Sequence, residues 1–213
     1  MTKIISIEGN IGSGKSTFVE FLKKNLNNDK YCFVDEPVNI WQEIKDISGN
    51  DIISKFYEDK KKYAFSFQML AYISRIANLR QTIKDNPNKI IITERCINTD
   101  KEVFAKMLYD DGYIEKINLD IYNMWFEEFS KDISVNGIAF IKTNPNICLE
   151  RINKRNRNGE SIDIEYLNKC NTYHNNWLDN CNNVITFDGN ISTFDTDSIH
   201  GIWVLMFENF IKN

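Results

Sequence analysis

Short apolar runs alternate along this chain with longer stretches whose apolar positions recur every three to four residues. Ile4-Ile5-Ser6-Ile7, Tyr31-Cys32-Phe33-Val34, Lys89-Ile90-Ile91-Ile92-Thr93, Ile138-Ala139-Phe140-Ile141 and Val184-Ile185-Thr186-Phe187 read as five buried strands. Phe18, Phe21, Leu22 and Leu26 share one face of a helix over 18–26. Further helices are expected at 39–47, 51–59, 60–84, 99–109, 114–131, 145–155, 163–178 and 197–211. Asn86-Pro87 closes the long helix, Asp111-Gly112 divides two others, and Asn136-Gly137 turns into the fourth strand. Strands that alternate with helices predict an α/β fold with a five-stranded parallel sheet flanked by helices. No linker, repeat or low-complexity segment interrupts the pattern, so 1–213 reads as a single domain.

Composition narrows the class. The chain has 213 residues, 42% hydrophobic and 26% charged, with a net charge of −4 and no long basic run. That argues against duplex nucleic acid as the main partner, whereas a local cluster of arginines suffices for a phosphate substrate. The five cysteines form no C-x-x-C pair and are odd in number, which points to free thiols in a reducing compartment. No apolar run approaches the ~18 residues of a membrane span. The first motif begins at residue 9, leaving no room for a leader, so the expected location is the cytoplasm, including that of a virus-infected cell.

That motif is Gly9-Asn10-Ile11-Gly12-Ser13-Gly14-Lys15-Ser16-Thr17, a match to the phosphate-binding P-loop between a strand and a helix. Glycines let the backbone wrap an anion, and the helix N-terminus adds its positive dipole end. Lys15 is expected to reach the β/γ-phosphates and Ser16 to ligate Mg²⁺. Glu36, before Pro37, and Glu94-Arg95 arrive at the same sheet edge from two other strands. Glu94 follows an apolar strand as a metal-binding acid does, which leaves Glu36 as general base toward a hydroxyl, with Arg95 orienting it. A structural Glu36–Arg95 ion pair is the alternative. Arg151, Arg155 and Arg157 crowd one helix end and read either as a lid over phosphates at about 151–160 or as a solvated basic terminus. Gln68 and Arg75 share a face of the long helix, ~10.5 Å apart. Surface polarity and recognition of a base edge both fit them.

Taken together, these blocks resemble the deoxynucleoside kinases, from Ile4 to about Phe194. The blocks are the P-loop, Asp35-Glu36-Pro37-Val38 with Trp41, Tyr57 with Phe67-Gln68, Glu94-Arg95, and Glu150-Arg151-Ile152 leading to Arg155, Arg157 and Glu160. The resemblance implies a P-loop kinase fold, ATP as donor with Mg²⁺ at Ser16 and Glu94, and phosphorylation of a deoxynucleoside 5′-hydroxyl. It implies Glu36 as base, Arg95 holding that hydroxyl, Tyr57 and Glu160 on the 3′-hydroxyl, and Gln68 on the base. Trp41, Phe67 and Phe104 would wall the base in, Arg155 and Arg157 would form the lid, and Arg151 would stand at its start. Residues 188–194 would lie near the adenine, and the protein would be a homodimer acting on small molecules, away from nucleic acid and membranes.

Two positions depart from the family pattern. Cys96 stands where Ser is usual, and the lid reads Arg157-Asn158-Gly159-Glu160 instead of a more acidic run. Arg75 and Asp100, five residues after Arg95, resemble the pair found in deoxycytidine and deoxyguanosine kinases, which implies that deoxycytidine or purine deoxynucleosides are preferred to thymidine. The rival readings are a thymidylate-kinase-type monophosphate kinase and a non-catalytic relative. Asp35 would repel the acceptor phosphate of the first, and retention of Lys15, Glu36 and Arg95 argues against the second. No N-K-x-D motif supports a GTPase.

Overall fold

A computed structural model describes residues 2–157, 160–191 and 196–212. Asn158-Gly159 of the expected lid and 192–194 of the expected adenine loop lie outside the described residues. Five strands form one parallel sheet in the order β2-β3-β1-β4-β5: β1 (Ile4–Glu8), β2 (Tyr31–Val34), β3 (Ile90–Glu94), β4 (Gly137–Lys142) and β5 (Val184–Asp188). β1 is central and buried along its whole length, as its apolar run predicts. Chain reversal on either side of β1 opens the crevice at the C-terminal edge where α/β sheets bind ligands.

α1 (Lys15–Asn25) packs Phe18, Val19 and Leu22 onto one sheet face with Ile5, Ile7, Ile92 and Ala139, and α10 (Thr196–Lys212) adds Val204, Phe207 and Ile211. Phe18 meets Phe207 edge-on at 5.9 Å and Trp203 at 5.4 Å. Burying a side chain of this size contributes about 1.5–3 kcal/mol. The opposite face carries Ile4, Val34 and Ile91 against Leu79 of α4 (Lys60–Asp85). Caps set the helix starts. Asp51 accepts from Ser54 N–H before α3 (Ile52–Glu58), Asp59 from Lys62 N–H before α4, and Asp163 from Tyr166 N–H before α9 (Ile164–Leu178). Pro145 opens α8 (Pro145–Arg155) at the position where its missing N–H costs nothing.

Three boundaries differ from expectation. The helix expected at 39–47 is the shorter α2 (Val38–Glu43), because Asp46 captures the backbone N–H groups of Ser48 and Asn50 and folds 44–51 into a turn. The helix expected at 99–109 begins at Ile97 and runs as α5 (Ile97–Thr99), a π-helical turn over Asp100–Ala105, and α6 (Lys106–Asp110). The first helix starts at Lys15, three residues before its apolar stripe. α7 (Lys116–Phe129) completes the set and leaves Ile117, Ile121, Met124, Trp125 and Phe129 exposed along one stripe. Among the described residues no helix is long and apolar enough to cross a membrane, and all five cysteines are free.

Candidate active site

β1, β2 and β3 end side by side, and the three turns that follow them supply the site's ionic groups. After Glu8 the chain wraps through Gly9, Gly12 and Gly14, all at positive φ. A Cβ on Gly12 would stand 2.5 Å from the carbonyl oxygen of Cys148, so glycine is what lets the loop seat on α8. α1 then begins at Lys15 with its free N–H groups facing the loop. Lys15 is buried and donates to Asn10 O at 2.8 Å. Burial, reinforced by the charge of Arg95, lowers its pKa to about 8. Ser16 Oγ donates to Glu94 Oε1 at 2.8 Å, which places two hard oxygen ligands beside the loop. That donor set fits Mg²⁺, which takes one or two protein oxygens and fills its shell with phosphate and water.

Glu36 lies just past β2. Its Oε1 accepts from Arg95 Nη1 at 2.8 Å and from Arg75 Nη2 at 3.2 Å. Burial opposes the Glu36 charge, yet Arg95, Arg75 and Lys15 together outweigh it and hold the carboxyl at about 2. Arg95 itself sits at φ 61°, a left-handed conformation that is uncommon for a non-glycine residue and typical of functional turns. Its guanidinium lies 5.3 Å from the Phe104 ring centroid.

Arg75 and Asp100 pair, with Nε to Oδ2 at 2.9 Å and Nη2 to Oδ1 at 3.4 Å. Arg75 Nη1 also donates to Glu94 O at 2.9 Å. Burial pushes Asp100 up against the pull of Arg75, while its two carboxylate neighbours keep Arg75 firmly charged.

All of these groups face one cavity of about 420 Å³. The P-loop with Lys15, Ser16 and Glu94 forms one end. Trp41, Phe67, Gln68, Arg75, Asp100 and Phe104 form the other, and Tyr57, Arg151, Arg155, Arg157 and Glu160 line it as well. Trp41 meets Phe67 edge-on at 5.4 Å and is fixed by Nε1–H to Ser74 Oγ at 2.9 Å. Gln68 is 3% exposed, and its Oε1 accepts no hydrogen bond from the described residues. A buried amide oxygen with no protein partner is costly unless a ligand supplies the donor. Burial, then the Glu160 charge, raise the Tyr57 phenol, and Glu160 pairs with Arg155.

Some motif residues also brace the scaffold. Asn10 turns its amide to Leu167 O at 2.9 Å, while Thr143 Oγ1 and Arg151 Nη1 both donate to Ser13 O at 3.0 Å. Arg151 Nη2 donates to Ile191 O at 3.1 Å, so this arginine ties the P-loop to the segment after β5. Arg151, Ile191, His200 and Trp203 border a smaller crevice behind Gly14 and Thr17. Cys96 keeps a weak bond in place of the usual serine's: its Sγ lies 3.6 Å from Thr99 Oγ1.

Sequence reasoning missed the cavity's remaining wall of Val38, Ile53, Phe56, Ala71 and Tyr166. Ile53, Phe56 and Tyr57 stand at i, i+3 and i+4 on α3, a stripe that was readable as a face looking toward the site. It also missed Glu8, a fully buried acid directly before the P-loop.

A sequence model of the deoxynucleoside kinase family matches residues 5–209. The chain is 38% identical over 180 residues to a probable deoxycytidine kinase of fowlpox virus, covering 83% of this chain and 72% of that protein. It is 34% identical over 197 residues to the deoxycytidine kinase of Mus musculus, covering 83% and 75%. It is 28% identical over 205 residues to a mitochondrial deoxyguanosine kinase of Xenopus laevis, covering 87% and 77%.

Proposed function

The chain belongs to the deoxynucleoside kinase family, and on that premise we propose that it phosphorylates the 5′-hydroxyl of deoxynucleosides from ATP with Mg²⁺, preferring deoxycytidine or purine deoxynucleosides to thymidine. The observation that carries this reading is the single cavity with a P-loop at one end and an apolar, amide-bearing pocket at the other, joined by Glu36 and Arg95. Glu36 takes the hydroxyl proton through Oε2, which accepts no bond from the described residues, while Oε1 stays anchored on Arg95 and Arg75. Arg95 orients the hydroxyl, Lys15 and the loop N–H groups hold the phosphates, and Arg155 and Arg157 close over them. Ser16 and Glu94 hold Mg²⁺, which supplies charge neutralisation on the phosphates. The crevice beside Arg151, His200 and Trp203 takes the adenine.

Gln68 reads the base edge with its free carbonyl, between Trp41, Phe67 and Phe104. The Arg75–Asp100 pair narrows the deep end against a thymine methyl, and the names of the relatives, deoxycytidine and deoxyguanosine kinases, favour the same preference. Tyr57 and Glu160 grip the 3′-hydroxyl. The exposed apolar stripe of α7 supports a homodimer, since a patch of that kind is normally covered in solution. Five free thiols fit action in the cytoplasm.

The test is phosphate transfer from ATP with Mg²⁺ across the four deoxynucleosides, their ribose analogues and dTMP. Turnover of dTMP alone would make the chain a monophosphate kinase. No turnover of any acceptor would make it a non-catalytic relative.

A further inference from the structure

One carboxylate of this ionic cluster has no part in the reading above. On β1, Ser6 and Glu8 alternate with Ile5 and Ile7, so they face away from α1 into the other half of the core. Ser6 and Glu8 are fully buried, and Thr93, opposite Ser6 on β3, is nearly so. Glu8 Oε1 accepts from Ser6 Oγ, Oε2 has no hydrogen-bond partner among the described residues, and the Cys96 thiol is the carboxylate's other polar neighbour.

Arg95 follows β3 at the matching position. Its N–H donates to Ile7 O at 3.0 Å, and its left-handed backbone turns the side chain toward Glu36. Its Nη1 and Nη2 are occupied by Glu36 and by Gly9 O, at 3.4 Å, while its Nε is buried without a partner. An unpaired carboxylate oxygen and an unpaired guanidinium N–H thus stand at the ends of adjacent strands. The Glu8 charge acts on both Arg95 and Lys15.

Counter-charges in the cluster are unevenly shared. Arg75 contacts both Asp100 and Glu36, whereas among the described residues Arg95 has ionic contact with Glu36 alone. Glu94, the other acid that acts on Arg95, is bonded to Ser16. When Glu36 carries the acceptor's proton it no longer neutralises Arg95, and a buried guanidinium without a counter-charge is costly.

We propose that Glu8 is a positioning residue for Arg95: its buried carboxylate keeps the guanidinium aligned on Glu36 and neutralised through the transfer. This rests on the reading of Glu36 as base and Arg95 as its partner.

A double-mutant cycle tests it. Glu8→Gln keeps the shape and removes the charge, and Arg95→Lys removes the side chain on which Glu8 acts. For each single variant and the double, kcat, the dissociation constant for deoxycytidine and the thermal melt are measured on the whole protein. Glu8→Gln is expected to lower kcat about threefold, the low end of the coupling range, because Glu8 acts on Arg95 through its charge without an ion pair. Deoxycytidine affinity should stay within about twofold, since the lost charge acts in the transfer step. In the Arg95→Lys background the same substitution should add little.

Unchanged kcat in Glu8→Gln, or losses that multiply in the double variant, would overturn the inference. If Glu8→Gln fails to fold, Glu8→Met, which also removes the charge at similar length, replaces it in the cycle under the same criteria. Full activity of Glu36→Gln would remove the base assignment instead. The Glu8–Arg95 coupling is measured without Glu36, so the two failures are distinguishable.

Discussion

Asp100→Ala removes one partner from a buried pair whose side chains are 4% and 3% exposed. Breaking such a pair from one side costs about 3–5 kcal/mol, because the remaining charge is left in the interior. Arg75 retains two acceptors, Glu94 O at 2.9 Å and Glu36 Oε1 at 3.2 Å. The cost therefore falls at the low end, about 3 kcal/mol. For a chain of this length that lowers the melting temperature by roughly 6–12 °C. The double variant Arg75→Met, Asp100→Ala removes both charges and leaves mainly a packing defect. It should melt above Asp100→Ala, with a coupling of about 1–3 kcal/mol between the two sites.

Specificity should move differently. Asp100→Ala lets Arg75 lean further onto Glu36 and still blocks the deep end of the pocket, so thymidine stays poor. The double variant opens that space, and room for one methyl is worth roughly 10–200-fold in relative kcat/KM. The assays are thermal denaturation of the parent, Asp100→Ala, Arg75→Met and the double variant, and competition between thymidine and deoxycytidine. A parent that already prefers thymidine by about tenfold, or a double variant that shows the sum of the two single losses, would refute the pair's assigned role.

Glu36→Gln should cut kcat by about 10²–10⁴ while deoxynucleoside affinity stays within about tenfold, and near-normal turnover would remove Glu36 from the base role. Lys15 is protonated below its pKa of about 8, so kcat/KM for ATP should fall as the pH rises past that value, and a flat profile to about pH 9.5 would contradict this. A site that bonds a hydroxyl rejects analogues lacking it: 2′,3′-dideoxynucleosides should be poor substrates, and Tyr57→Phe should narrow the gap, whereas equal efficiency in the parent would sink the 3′-hydroxyl assignment. Trp125→Glu places a charge in the exposed α7 stripe and should shift the sedimenting species from dimer to monomer, an outcome excluded if the parent is already monomeric.

How far the sequence reveals this molecule depends on how local the cause is. Five apolar runs place five strands, most clearly the central β1, β3 and β4 whose both faces are covered, and the order of elements follows from their alternation. The P-loop is legible for the same reason: its glycines, lysine and hydroxyl act within nine consecutive residues. The turn at 44–51 was not legible, because Asp46 competes with the helix through bonds to Ser48 and Asn50 that a periodicity count does not see. The π-helical turn at Asp100–Ala105 was hidden too, since one extra residue per turn leaves no mark on the apolar pattern.

At the site the residue types were legible and their electrostatic state was not. Glu36, Arg95, Arg75 and Asp100 come from four separate segments, and sequence places them only at a common edge. That both arginines fall on one oxygen of Glu36 depends on distances of a few tenths of an ångström. The consequence is chemical. A carboxyl held at about 2 by Arg95, Arg75 and Lys15 is ionised at any working pH, and a weak base in the free protein. Its usefulness then comes from orientation, with one oxygen fixed by two guanidinium groups and the other open to the cavity. Its proton affinity rises only as its cations find other negative charge: Lys15 on phosphate, and Arg95 on Glu8. The buried acid at the end of β1 thus belongs to the same electrostatic unit as the proposed base at the end of β2, although 28 positions separate them in the chain.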